Sequence, residues 1–342
     1  MGFYFSRVVD EVGRALMAGA NVRLTGVQGS GRSAVMDRLA ERLGRLGHTV
    51  HRGGGGQLPR RMSGQLIAQL GIPWPPAGSS AATGVDAAVD RLCAAWSAEG
   101  HPVLLLDDAH EIDAVSAGIL ARAVRRMRVP VVRAVRHGVA DPEDLDRPVS
   151  AAAEVGVAMP AMTADDVVEM AAQLLGAPPE PMLAARVLAK SGGIPGLSAS
   201  IITTARVAGH IELAFGQWRV ASDSLWNQHL APVIDARLQG LPRAEREALA
   251  VIALRGAAAP AELIAAHPAE ALVGLERRGL LAEAAEGGAR RIHVWPPILA
   301  DRYQRGLSTL ARMALTGDAA GDLPPVPTFP ANRRPTCRSG AP

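Results

Sequence analysis

The chain is almost without lysine: of its 36 basic residues, only Lys190 is not an arginine. Any site that ordinarily uses a lysine must therefore be looked for with arginine in its place. Cysteine is equally scarce, Cys93 and Cys337 lying far apart, which excludes a disulfide framework and any cysteine-based metal spacing. Aromatic residues make up 3% of the 342 positions while 48% are hydrophobic, and abundant alanine points to a helix-rich protein packed through small side chains. No run approaches the roughly eighteen apolar residues of a membrane span, and the first ten residues lack the apolar centre of a secretion signal. A soluble protein of the reducing cytoplasm, with no membrane partner, is expected. The net charge of +3 is too small to indicate nucleic acid or a lipid surface, and the cluster Arg122, Arg125, Arg126 and Arg128 reads as a solvated helix face.

What is present is a glycine pattern. Gly26-Val27-Gln28-Gly29-Ser30-Gly31-Arg32-Ser33 is the phosphate-cradling loop G-x-x-x-x-G-K-[ST] with arginine at the lysine position. The glycines let the backbone turn its N–H groups toward phosphate oxygens, and the following helix adds the positive end of its dipole. Those donors do not depend on residue 32. Arginine is a planar fork rather than a compact point charge, so nucleotide binding is expected to survive where catalysis suffers. An apolar-alternating run at 21–25 precedes the loop, and Val35, Leu39, Leu43 and Leu46 follow at helical spacing, giving the required order of strand, loop and helix.

A second signal lies downstream. Residues 102–106 are apolar throughout, as in a central parallel strand covered on both faces, and end in Asp107 and Asp108. Ligands of open α/β sheets bind at that edge. Asp107, together with Ser33, is expected to hold Mg²⁺, and Asp108 to orient or deprotonate the attacking water. The alternative is that both aspartates cap a helix starting near Asp113. Residues 129–135 read as the next strand, with Arg136 at its end, either approaching a bound phosphate or serving as a surface arginine.

The chain divides, on this reading, into an α/β nucleotide-binding domain with a P-loop parallel sheet (1–160), a helical lid (161–228), a winged helix (229–315) and a disordered tail (316–342). In the first, Gly53 to Gly56 and 73–80 read as loops, with helices at 58–70 and 85–97. In the second, Thr163 opens a helix to Leu175, another spans 181–190, and a glycine-proline turn opens a third at Leu197. In the third, helices at 243–254, 261–266 and 268–278 precede two strands around Gly287 and Gly288. The candidate recognition helix carries Glu270, Glu276, Arg277 and Arg278, a mixed face that favours packing over DNA.

These features together resemble the ATPase module of the large LuxR-type, MalT-like transcription regulators, of the STAND branch of AAA+-related P-loop proteins. The resemblance rests on Gly26 to Ser33, Asp107-Asp108-Ala109-His110, Arg136, Gly193-Ile194-Pro195 and the segment 275–281, and covers residues 5–310. It implies a switch: ADP holds a closed arrangement, ATP favours an open form that self-associates, and hydrolysis resets it. By position Arg136 matches a sensor arginine near the γ-phosphate, and Pro195 the lid proline beside the adenine or ribose. The sequence departs from the family at Arg32, and at Pro296-Pro297, where relatives carry His-Pro, with His293 and Trp295 just upstream. Relatives continue into a helical-repeat sensor and a promoter-binding helix-turn-helix, so a shortened relative is expected. Two other readings are an origin-recognition-type ATPase that binds DNA through its winged helix, and an interaction protein that takes no nucleotide.

Overall fold

The computed structural model describes residues 2–55, 63–74, 81–140, 142–146, 153–286 and 288–307; the expected tail, residues 58–62 of the expected 58–70 helix, Gly56 and 75–80 of the expected loops and Gly287 lie outside the described residues. The chain begins with helix α1 (Gly2–Met17), followed by β1 (Asn21–Gly26), α2 (Arg32–Arg45), β2 (Thr49–Gly54), α3 (Gln65–Gln69), α4 (Ala81–Ser97) and β3 (Pro102–Asp107). After a short 3₁₀ turn at 109–111 come α5 (Ala114–Met127), β4 (Val131–Arg136), α6 (Glu143–Asp146) and β5 (Glu154–Ala158). Among the described residues these strands form one parallel sheet in the order β2-β3-β4-β1-β5.

Each central strand serves both faces. Val103 and Leu105 of β3 join one hydrophobic core with α1 and α2, while Leu104 and Leu106 join the other with α3, α4 and α5. All four side chains are buried, each contributing about 1.5–3 kcal/mol by transfer from water. That is why the apolar run at 102–106 has no polar interruption until the edge where it ends.

The expectation that Gly53 and Gly54 lie in a loop is corrected: both belong to β2, a half-buried edge strand. They are glycines because the neighbours come close. A side chain on Gly53 would meet Leu66, and one on Gly54 would stand 2.8 Å from the Asp107 carbonyl oxygen.

Beyond the sheet the chain is largely helical: α7 (Ala164–Leu175), α8 (Pro181–Ser191), α9 (Pro195–Val207), the hairpin of β6 (Ile211–Ala214) and β7 (Gln217–Val220), and α10 (Ala231–Leu238). Helix α7 starts where the sequence indicates. Thr163 accepts from the Asp166 amide while the Asp166 carboxylate accepts from the Thr163 amide at 2.8 Å, satisfying two end donors reciprocally. Then follow α11 (Arg243–Arg255), α12 (Pro260–Ala266), α13 (Ala269–Arg277), the antiparallel pair β8 (Leu281–Glu286) and β9 (Ala289–Val294), and α14 (Ile298–Gly306). Three helices and a two-stranded wing are the arrangement read from the sequence. Most of the buried apolar residues of α7 to α9, α10, α11 and α14 belong to the same core as α1 and β1.

Candidate nucleotide site

At the carboxyl edge of the sheet, register sets the order of the functional residues. Gly54 pairs with Asp107, Gly26 pairs with Arg136, and β4 lies between β3 and β1. Arg136 therefore stands between the loop and the acid pair.

The loop is built by glycine. Gly29 and Gly31 have φ of +77° and +92°, values that side-chain-bearing residues adopt only under strain, and a side chain on Gly31 would collide with the ring of Phe5. Gly31 precedes α2 and no side chain caps that end, so the first amides of the helix are left open to an acceptor. Ser30 turns back over Gly26, and its hydroxyl is buried without a hydrogen-bond partner among the described residues. Open amides and an orphaned hydroxyl beside two left-handed glycines fit a polyphosphate.

Arg32 does not extend into open solvent. Its side chain is 9% exposed; Nη1 donates to the Gly26 carbonyl oxygen at 2.7 Å and Nη2 to Asp108 Oδ1 at 2.9 Å. Burial pulls the guanidinium below its ordinary pKa against the opposing pull of Asp108. Burial likewise raises the Asp108 carboxyl, with Arg32 working to lower it. For both partners desolvation is the larger cause. Asp108 sits in the left-handed region, φ 42° and ψ 48°.

Asp107 accepts the Asp108 amide through Oδ1 at 2.9 Å. Neither aspartate caps the next helix: Asp113 does so, accepting from Ser116 and also from the Gly64 amide. The capping alternative for the acid pair is thereby removed. Ser33, Asp107 and Asp108, with Asp37, Arg52 and Gly54, line a cleft of about 710 Å³. Ser33 and Asp107 carry oxygen donors of the hard kind that would suit Mg²⁺. Among the described residues no group of three His, Cys, Asp or Glu side chains is placed to hold a metal ion, in this cleft or outside it.

Arg136 carries its Nη2 3.7 Å from Glu111 Oε1, and its Nε is buried without a hydrogen-bond partner. Glu111, from the turn after the acids, was not among the residues expected from the sequence. Pro195 opens α9, and the next residue, Gly196, donates its amide to the Gly29 carbonyl oxygen at 2.9 Å. The helical region thus touches the loop directly. Val27 lies against Gly279, at the end of α13, and Gly138 beyond β4 packs against the Arg277 carbonyl. Gln28 is exposed at the loop tip.

Two further placements stand out. His293, the histidine near the family's His-Pro position, has Nδ1 3.1 Å from the Gly256 carbonyl oxygen, within its own region. Arg237 of α10, which no motif marks, approaches the loop instead: its Nη1 lies 3.3 Å from where a side chain on Gly29 would begin. Burial, and then the neighbouring Arg136, lower its pKa to about 10.

No family model matches the sequence, and no curated protein matches it. Among solved structures, the chain is similar to a Walker-type ATPase of Pyrococcus abyssi, at 13% identity over 87% of this chain and 95% of that one, with a TM-score of 0.52. The RuvB Holliday junction branch migration motor of Thermotoga maritima matches at 16% identity over 86% and 92%, TM-score 0.44. Cdc6p of Pyrobaculum aerophilum matches at 14% over 92% and 93%, TM-score 0.43. At these identities the likeness concerns fold alone, and the first of the three carries it: the chain has a P-loop ATPase fold.

Proposed function

We propose that this protein is a nucleotide-dependent regulatory switch of the AAA+-related STAND type, similar to LuxR-type transcription regulators, that takes ATP or ADP with Mg²⁺ and hydrolyses ATP slowly or not at all. One observation carries the reading. Three parts of the chain converge on the same loop: Gly196 at the start of α9 donates to Gly29, Gly279 after α13 touches Val27, and Arg237 of α10 borders Gly29. A ligand seated on the loop must then favour one arrangement of these parts over another, and differential affinity is what shifts a conformational equilibrium.

Residues 26–33 would hold the polyphosphate through main-chain amides, Ser33 and Asp107 would hold Mg²⁺, Pro195 would border the nucleoside, and Arg136 would read the outer phosphate. When bound, Mg²⁺ would supply neutralisation of charge developing on the phosphate oxygens. Asp108 would orient a water, yet its carboxylate is engaged by Arg32. Slow hydrolysis follows from that engagement.

The DNA-loading alternative finds less support in the charges of α13. Arg278 is paired with Glu245 at 2.9 Å, and the backbone of Arg277 abuts Gly138. Size-exclusion chromatography with light scattering on the full chain tests the switch. A larger species with a non-hydrolysable Mg-ATP analogue, and none with Mg-ADP, is expected; identical profiles in both would contradict it.

A further inference from the structure

Resting on the polyphosphate reading, we infer that Arg237 is itself a phosphate ligand, reaching the loop from α10 and tying the grip on nucleotide to the helical region that follows the β6-β7 hairpin. Its Nη1 lies 3.3 Å from the position a Gly29 side chain would take, and Gly29 is exposed at the loop. Among the described residues its buried Nε has no hydrogen-bond partner, and no carboxylate acts on its charge. The charge that does act on it is another cation, Arg136. A half-buried arginine whose Nε is shut away from water without a counter-charge is costly, and a side chain that served packing alone would be served better by methionine. A polyanion on the loop resolves this. Arg136 at the sheet edge, near Glu111, and Arg237 from α10, without a carboxylate, then both meet negative charge, and guanidinium suits phosphate oxygens bidentately.

Arg237 also connects the loop to the rest of the chain. Two residues earlier on α10, Asp235 accepts from Arg302 of α14 through both carboxylate oxygens, at 2.8 and 3.1 Å. A phosphate that draws Arg237 toward the loop therefore draws on α14 as well. The ligand class that engages it carries several phosphate charges; a nucleoside does not.

The test uses the full chain, with Arg237→Met, Arg237→Gln and Arg237→Lys beside the unsubstituted protein, measuring apo Tm and titrations with Mg-ATP, inorganic pyrophosphate and adenosine. Removing the unpaired charge should leave apo Tm unchanged or higher in Arg237→Met. Mg-ATP and pyrophosphate affinity should fall about ten- to a hundredfold, as for a charged hydrogen bond, any adenosine binding should not change, and Arg237→Lys should recover part of the loss. If the unsubstituted protein binds Mg-ATP and Arg237→Met and Arg237→Gln bind it equally well, this inference fails while the nucleotide reading stands. A fall in apo Tm with unchanged affinity would assign Arg237 a packing role and overturn it too. If the unsubstituted protein binds neither Mg-ATP nor pyrophosphate, both fall together.

Discussion

Arg32 and Asp108, 76 positions apart, are joined by a 2.9 Å hydrogen-bonded ion pair that spans the gap between the glycine loop and the end of β3. The same guanidinium holds the Gly26 carbonyl oxygen. One side chain thereby occupies the acid expected to serve the water while leaving the main-chain amides of the loop uninvolved.

Shortening the cation should release the acid. In Arg32→Lys a single ammonium cannot hold the Gly26 carbonyl and Asp108 in the same forked geometry, so ATP turnover is expected to rise about tenfold or more, the scale of a positioned general base. Asp108→Asn should abolish turnover and retain Mg-ATP binding. A phosphate-release assay on the three proteins decides; equal rates in all would remove Asp108 from the mechanism.

The pair should be of little benefit to the fold itself, because for each partner burial outweighs the attraction. The double variant Arg32→Met/Asp108→Leu is expected to match or exceed the unsubstituted protein, by up to about 1–4 kcal/mol, as when other buried pairs are replaced by apolar residues. Arg32→Met alone should be less stable, since it strands the carboxylate. Urea denaturation measures both, and a double variant less stable than Arg32→Met would contradict the argument.

The raised Asp108 pKa sets a pH dependence of definite sign. The folded carboxyl holds its proton to higher pH than the unfolded one, so the native state binds more protons in between. Its contribution to apo stability is therefore greatest at low pH and is lost as pH rises from the ordinary aspartate value of about 4 through the folded value. Denaturation of the unsubstituted protein minus that of Asp108→Asn should show this downward slope. A difference that rises with pH would mean that attraction to Arg32 prevails over burial.

Gly138 is where the sheet region meets α13. Its φ of +72° and its contact with the Arg277 carbonyl leave no room for a side chain. Gly138→Val should cost more than about 1 kcal/mol and separate the two parts, seen as an increased radius of gyration by X-ray scattering. An unchanged radius and Tm would show that the contact does not hold them together.

The parts of the site legible in the sequence are those whose signal is local. The loop shows as glycines at fixed offsets, the acids as the sudden end of an apolar run, and Thr163 as a capping residue with its partner three positions on. Gly53 and Gly54, the end of β2, read as loop because an edge strand with Arg52 exposed and two glycines has neither alternation nor a continuous apolar stretch; only Leu66 and Asp107, distant in sequence, explain those glycines. Helix α1 carries no acidic residue in its first turn and drew no start signal. Arg237 is the clearest case of what spacing cannot show: 208 positions separate it from Gly29, its short helix has no motif, and its role rests on a tertiary contact. The engagement of Arg32 with Asp108 was equally hidden, although both residues were identified.

The account depends most on a polyphosphate being held by main-chain amides with arginine in the lysine position. Isothermal titration of the full chain with Mg-ADP and Mg-ATP measures this directly. Saturable binding of one nucleotide per chain, retained in Asp108→Asn, is the expected result; a folded sample giving no heat with either nucleotide, up to millimolar ligand, would contradict it.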